Sequence, residues 1–153
     1  MESLVKDKLI ECYADNGFLS TNQHGFTRGR SCLTNLLETF EAWTRILDKG
    51  YGLDLDVIFL HYRKAFDNVP HRRLLEKLQM SEIGGKLLTW IQAFLSDRKM
   101  RVCEMGLFSA WVEVLSGVPQ GSVLRPLLFL IFVNDLPAWI VNSIKMFADD
   151  IKI

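Results

Sequence analysis

The sequence predicts an α+β domain with a small antiparallel sheet and helices packed behind it. Three observations lead there. Apolar residues recur at three- and four-residue intervals over several segments of helical length. Between these segments lie short runs of β-forming residues bounded by Gly, Pro and Asn, too short for helices. The two patterns interleave and strands are few, which suits a small sheet backed by helices. Composition agrees: 49% apolar and 24% charged residues, with ten Phe and four Trp as core material, describe a globular chain. At 153 residues there is room for a single domain or part of one.

Residues 3–15 read as a helix with Leu4, Leu9, Ile10 and Tyr13 on one face, stopped by Asn16-Gly17. Residues 20–31 are polar, hold two Gly and two Arg, and read as a loop. Residues 32–48 repeat Leu33, Leu36, Leu37, Phe40 and Trp43 at helical spacing, closed by Lys49-Gly50. Residues 56–60, Asp-Val-Ile-Phe-Leu, suit a buried strand. After Val69-Pro70, residues 71–79 and 84–95 form two helical patterns divided by Ile83-Gly84-Gly85. Residues 98–104 and 111–115 suggest two strands around a Gly106 turn, and 116–122 a Gly/Pro loop. Residues 124–140 look helical, with Pro126 tolerated near the start. Residues 144–148 read as a strand running into Asp149-Asp150.

The charge balance, 18 basic against 18 acidic residues, gives no electrostatic pointer to nucleic acid and leaves only local patches to bind it. Cys12, Cys32 and Cys103 are odd in number, widely spaced and without a CxxC pair, as expected of reduced thiols. The N-terminus lacks the unbroken apolar stretch of a signal peptide. The longest apolar run, Leu127 to Val133, is far too short for a membrane span. A soluble intracellular chain, nuclear or cytoplasmic, is the expectation.

Asp149-Asp150 is the most telling pair. Neighbouring strand residues face opposite ways, but at a tight hairpin tip two adjacent carboxylates can approach one metal site. A bare Asp-Asp pair is more often a polar turn. Its company raises its weight: residues 59–67 (FLHYRKAFD), 116–122 (SGVPQGS) and 147–150 (FADD), preceded by 23–31 (QHGFTRGRS). These four segments, in this order, resemble the motif series of non-LTR, LINE-like retrotransposon reverse transcriptases. The resemblance runs from about Leu4 to the last residue.

The resemblance implies a right-hand polymerase, with residues 1–55 fingers-like and 56–153 palm-like. It implies RNA-directed DNA synthesis by two-metal nucleotidyl transfer, with Mg²⁺ held by carboxylates and an RNA template and DNA primer as partners. Asp149 and Asp150 match the catalytic pair. The first palm aspartate belongs at position 61, where this chain has His61. An imidazole offers a single neutral nitrogen where a carboxylate bridges two metals and brings negative charge. Loss of such a group costs on the order of 10³-fold or more by analogy with other enzymes. A His/Asp/Asp set could instead take Zn²⁺ or Mn²⁺. Phe66 matches the aromatic beside the ribose 2′-position, and Gln120 the loop beside the incoming nucleotide. Arg28 and Arg30 match the fingers segment that contacts triphosphate or template backbone. Phe66 could equally be a packed aromatic, Gln120 part of a plain turn, and the arginines solvated.

Other departures are Arg125, where the family has Gly before the Pro; Arg63, where a small polar residue is usual; and Thr27, where a basic residue is common. Asp67 lies past a bend and is not a substitute ligand. The family continues beyond residue 153 with the rest of the palm and a thumb. Their lack would open a sheet edge and expose apolar faces of the helices carrying Trp90 and Phe129, consistent with a mean hydropathy of +0.13. Poor solubility, or a protein partner covering the edge, is then expected. Three readings stand: a polymerase domain, active or formerly so; a non-catalytic RNA- or protein-binding module; and a relic with no selected role. The first accounts for descent, while for present activity the third and then the second are preferred.

Overall fold

A computed structural model describes residues 1–48 and 54–153. The elements are α1 (Glu2–Asp15), α2 (Cys32–Leu47), β1 (Phe59–His61), α3 (His71–Met80), α4 (Gly85–Leu95), β2 (Lys99–Met100), β3 (Cys103–Glu104), β4 (Leu107–Phe108), β5 (Val112–Glu113), α5 (Arg125–Val133), a 3₁₀ turn (Leu136–Trp139), β6 (Lys145–Phe147) and β7 (Asp150–Lys152). This is the α+β class that the patterning predicts. The expected helix stop at Lys49-Gly50 lies outside the described residues.

α5 is the centre of the molecule. Its sequence, RPLLFLIFV, is apolar on every side, and Leu127 to Ile131 are all buried. A helix apolar all round has to be enclosed. α1, α3 and α4 enclose it with Val5, Leu9, Tyr13, Leu74, Leu78, Ile91 and Leu95. Each such aliphatic side chain contributes about 1.5–3 kcal/mol on burial. Tyr13 donates its hydroxyl to Ser81 Oγ at 2.8 Å, which ties α1 to the end of α3.

β1, β7 and β6 form an antiparallel sheet in that order, with β7 central. His61 lies opposite Asp150 and Leu60 opposite Ile151 across β1–β7. Met146 lies opposite Ile151 and Phe147 opposite Asp150 across β6–β7. Ile144, Met146 and Ile151 form a second, smaller core against Val133, Leu136, Ile140 and Ile153. The outer edge of β6 is not left open. Met146 N donates to Asn22 O and His24 N to Met146 O, each at 2.9 Å, so residues 22–24 extend the sheet in parallel.

Several expectations need correction. α1 buries Val5, Leu9 and Tyr13, while Leu4 and Ile10 face out. The five-residue apolar stripe of α2 does not face the core: Leu33, Leu36, Leu37 and Phe40 are exposed, and the buried residues are Asn35 and Thr39. The reason lies opposite. α2 packs on the backbone edge of β6, which needs donors rather than methyls. Asn35 Nδ2 donates to Met146 O at 3.2 Å, and its Oδ1 accepts from Lys152 Nζ at 2.7 Å. The long helix expected over 124–140 ends at Val133. Asn134 turns aside to accept from Ser20 N at 2.8 Å and donate to Phe18 O, and Pro137 starts the 3₁₀ turn.

The two strands expected around Gly106 are four short ones. β2 pairs with β5 and β3 with β4, in an exposed arm where the Arg101 guanidinium lies 3.8 Å from the Phe108 ring centroid and 4.5 Å from that of Trp111. The apolar faces expected to be bare near Trp90 and Phe129 are not. Phe129 is buried, and Trp90 stacks on Phe94 at 5.3 Å and packs on the core.

Candidate functional site

The acidic pair sits where β6 turns into β7. Phe147 pairs with Asp150, so Ala148 and Asp149 form a two-residue hairpin loop. Ala148 has φ +54°, a position for which such hairpins favour Gly. A left-handed Ala costs roughly 1–2 kcal/mol, so something must hold it. That something is Gln23. Its Oε1 accepts from Ala148 N at 2.8 Å and its Nε2 donates to Ala148 O at 3.2 Å, while Oε1 also accepts from Gly25 N at 2.8 Å. Gly25 then lies flat on the hairpin. A Cβ there would overlap Ala148 N and stand 3.0 Å from Ala148 Cα and from the Phe147 carbonyl carbon.

His61 completes the cluster from β1. The register that sets it opposite Asp150 brings Nδ1 within 2.8 Å of Asp150 Oδ1 and 3.8 Å of Asp149 Oδ2. The three side chains therefore converge. His61 Nδ1 is hydrogen-bonded to Asp150 Oδ1, so that nitrogen and that oxygen are spent on each other. Among the described residues, no group of three His, Cys, Asp or Glu side chains is arranged to hold a metal ion. His61, Asp149 and Asp150 together present two carboxylates and an imidazole already bonded to one of them.

Phe66 lies on the turn after β1. It stacks on Phe129 at 4.1 Å between centroids and meets Phe26 edge-on at 6.4 Å. The loop that carries Gln120 is fastened to the same turn. Val118 N donates to Phe66 O at 3.0 Å, Gly117 N to Val69 O at 2.8 Å, and Ser116 Oγ to Asp67 O at 2.8 Å. Gly117 is required here: φ is +86°, and a Cβ would lie 2.6 Å from Asp67 O. Gln120 itself is exposed. Arg125 reaches over the turn, its guanidinium 5.0 Å from the Phe66 ring and 3.2 Å from Asp67 Oδ1. Arg125 Nη1 is buried without a partner among the described residues, a cost of the large cation at this helix entry.

The two fingers arginines part company. Arg28 is exposed, whereas Arg30 turns inward and donates from Nη1 to Thr21 O and to His24 Nε2, the latter at 2.9 Å. His24 is buried, with Nδ1 2.9 Å from Thr34 Oγ1 and Glu38 Oε2 3.4 Å from Nε2. Burial, with Arg30 beside it, pushes the His24 pKa below the ordinary histidine value despite Glu38. Lys145 holds the Glu38 carboxyl below the usual carboxylate value through their hydrogen bond. The sequence marked residues 23–31 as a motif, with Arg28 and Arg30 as its candidate site residues. Gln23, His24 and Gly25 do the structural work, and nothing in a single sequence separates them from other loop residues.

An α+β domain thus gathers an acid pair on a hairpin, a facing residue on the first strand, an aromatic turn and a Gly/Pro loop. The model of the reverse transcriptase (RNA-dependent DNA polymerase) family matches residues 1–153, and the chain belongs to that family. It is 30% identical, over 90% of its length, to the RNA-directed DNA polymerase from mobile element jockey of Drosophila melanogaster. It is 29% identical to two probable RNA-directed DNA polymerases of the same fly, from transposon BS over 89% of the chain and from the X-element over 98%. These relatives are polymerases of non-LTR retrotransposons. The chain spans 15% of the length of the jockey and BS proteins and 17% of the X-element protein. Among the described residues no helix is long and apolar enough to cross a membrane.

Proposed function

We propose that this chain carries the fingers (residues 1–55) and palm (56–153) framework of an RNA-directed DNA polymerase, with an acid site that no longer supports catalysis. The observation that carries this is the 2.8 Å hydrogen bond from His61 Nδ1 to Asp150. Relatives in the family generally use divalent cations, and Mg²⁺ is the expected one. Here the imidazole takes a carboxylate oxygen that a cation would need. Asp149 and Asp150 remain the positions for metal ligands, and RNA template with DNA primer the partners by descent. Phe66 and the Gln120 loop are the proposed nucleotide side. Arg28 is exposed and able to meet phosphate, whereas Arg30 is committed to His24 and Thr21.

The same hydrogen bond supports a second reading, because it ties hairpin to β1 without any ion. A non-catalytic module that keeps the fold and binds RNA or a protein needs nothing more. The test is a Mn²⁺ titration by electron paramagnetic resonance, with primer extension on an RNA template. His61→Asp adds the third carboxylate and is expected to tighten Mn²⁺ binding by roughly tenfold or more. Extension by the unaltered chain, or Mn²⁺ affinity equal in the two proteins, overturns the reading of a disabled site. Salt-dependent RNA binding by a chain that holds no cation marks the binding module.

A further inference from the structure

The geometry points to Gln23 as the positioning residue of the acidic hairpin: its carboxamide holds Ala148 in the left-handed conformation that presents Asp149 and Asp150 beside position 61. This rests on the reading of that pair as the metal-ligand positions, although the clamp itself stands on geometry alone.

Gln23 is buried and lies in the loop before α2, 125 residues from the hairpin in sequence. Both ends of its amide are used on one residue. Oε1 takes Ala148 N–H and Nε2 reaches Ala148 O, so the backbone on either side of the strained φ is captured at once. No other side chain of this size has the right groups. A glutamate keeps the acceptor and loses the donor, and an asparagine is one methylene short. The loop is in turn fixed to the sheet by Asn22 and His24 on Met146, and by Gly25, whose bare Cα allows the approach. The Gln23–Ala148 contact also links the 20–31 loop to the acid pair.

A residue that only filled a buried polar site would lower stability everywhere equally. A positioning residue acts locally, and amide hydrogen exchange separates the two. In Gln23→Ala the Ala148 amide, which donates to Gln23, is expected to exchange about tenfold faster or more, beyond any change at the core amides of Leu74 and Leu128. In Gln23→Glu, which keeps the acceptor, Ala148 should retain most of its protection. That second variant decides the matter if Gln23→Ala does not fold. In the His61→Asp background, Gln23→Ala is expected to weaken Mn²⁺ binding about tenfold, on the scale of lost ligand-orienting contacts. If Ala148 exchange merely tracks the core amides in Gln23→Ala, the proposal is wrong. If His61→Asp binds no Mn²⁺ at all, the metal-site reading fails, and the exchange result still judges Gln23 by itself.

Discussion

Gly25→Ala puts one methyl at the closest approach between the 20–31 loop and the acidic hairpin. The new Cβ would overlap Ala148 N and press on Ala148 Cα and the Phe147 carbonyl carbon at 3.0 Å. All of these are backbone atoms, so no side chain can swing away to relieve them. The backbone φ of Gly25 is not in the left-handed region, so conformational strain adds nothing and the effect is steric. Overpacking of this kind costs about 1–3 kcal/mol. If the loop lifts instead, it surrenders the two Gln23–Ala148 hydrogen bonds and His24 N–Met146 O, each worth about 1 kcal/mol. Ala stabilises relative to Gly by up to about 1 kcal/mol through the unfolded chain. The net expectation is a loss of roughly 1–3 kcal/mol, or a few to about 10 °C in Tm for a chain of this size. Urea unfolding followed by circular dichroism measures it, with Gly84→Ala as control. Gly84 has open space around its Cβ position and an extended backbone, and should lose less than about 1 kcal/mol. Equal midpoints for the two variants would refute the claim that the loop and hairpin backbones are in enforced contact.

Asn134→Ala removes the acceptor for Ser20 N and the donor to Phe18 O, and should cost about 1–3 kcal/mol in the same urea assay, while Asn134→Asp, which keeps only the acceptor, should fall between. His24 is held neutral in the folded protein, so its folded pKa lies below its unfolded one. Its stability contribution is complete above the unfolded histidine value of about 6.5 and is lost as pH falls from there toward the folded pKa. Unfolding free energy should therefore drop as pH falls below about 6.5 in the unaltered chain, and less steeply in His24→Asn; parallel slopes would exclude His24 as the source.

The α+β class, the order of helices and strands, and the family membership could all be read from spacing: apolar residues at helical intervals, short β runs, and four ordered motifs. These are local or one-dimensional features, and a single chain displays them. The convergence of His61 with Asp149 and Asp150 is what the family resemblance implied, and the register of the strands brings it about. Other features were decided only by tertiary packing. The apolar stripe of α2 identified a helix but not the face that meets the protein; Asn35 turns inward to bond Met146 O, and Thr39, one turn on, is buried with its hydroxyl donating to Asn35 O. The 124–140 helix stops after Val133 because Pro137 has no N–H to give the Val133 carbonyl, a local signal; what packing alone decided is that Asn134 bonds to Ser20 and Phe18, over a hundred residues away. Gln23 opens one of the four motifs, but its task, to satisfy the backbone of one distant residue, was not legible there, because hydrogen bonding between remote segments leaves no periodic trace. What the sequence determined was which groups this protein has for its site; which of them face each other, and that His61 spends its Nδ1 on Asp150, followed from the register of three short strands.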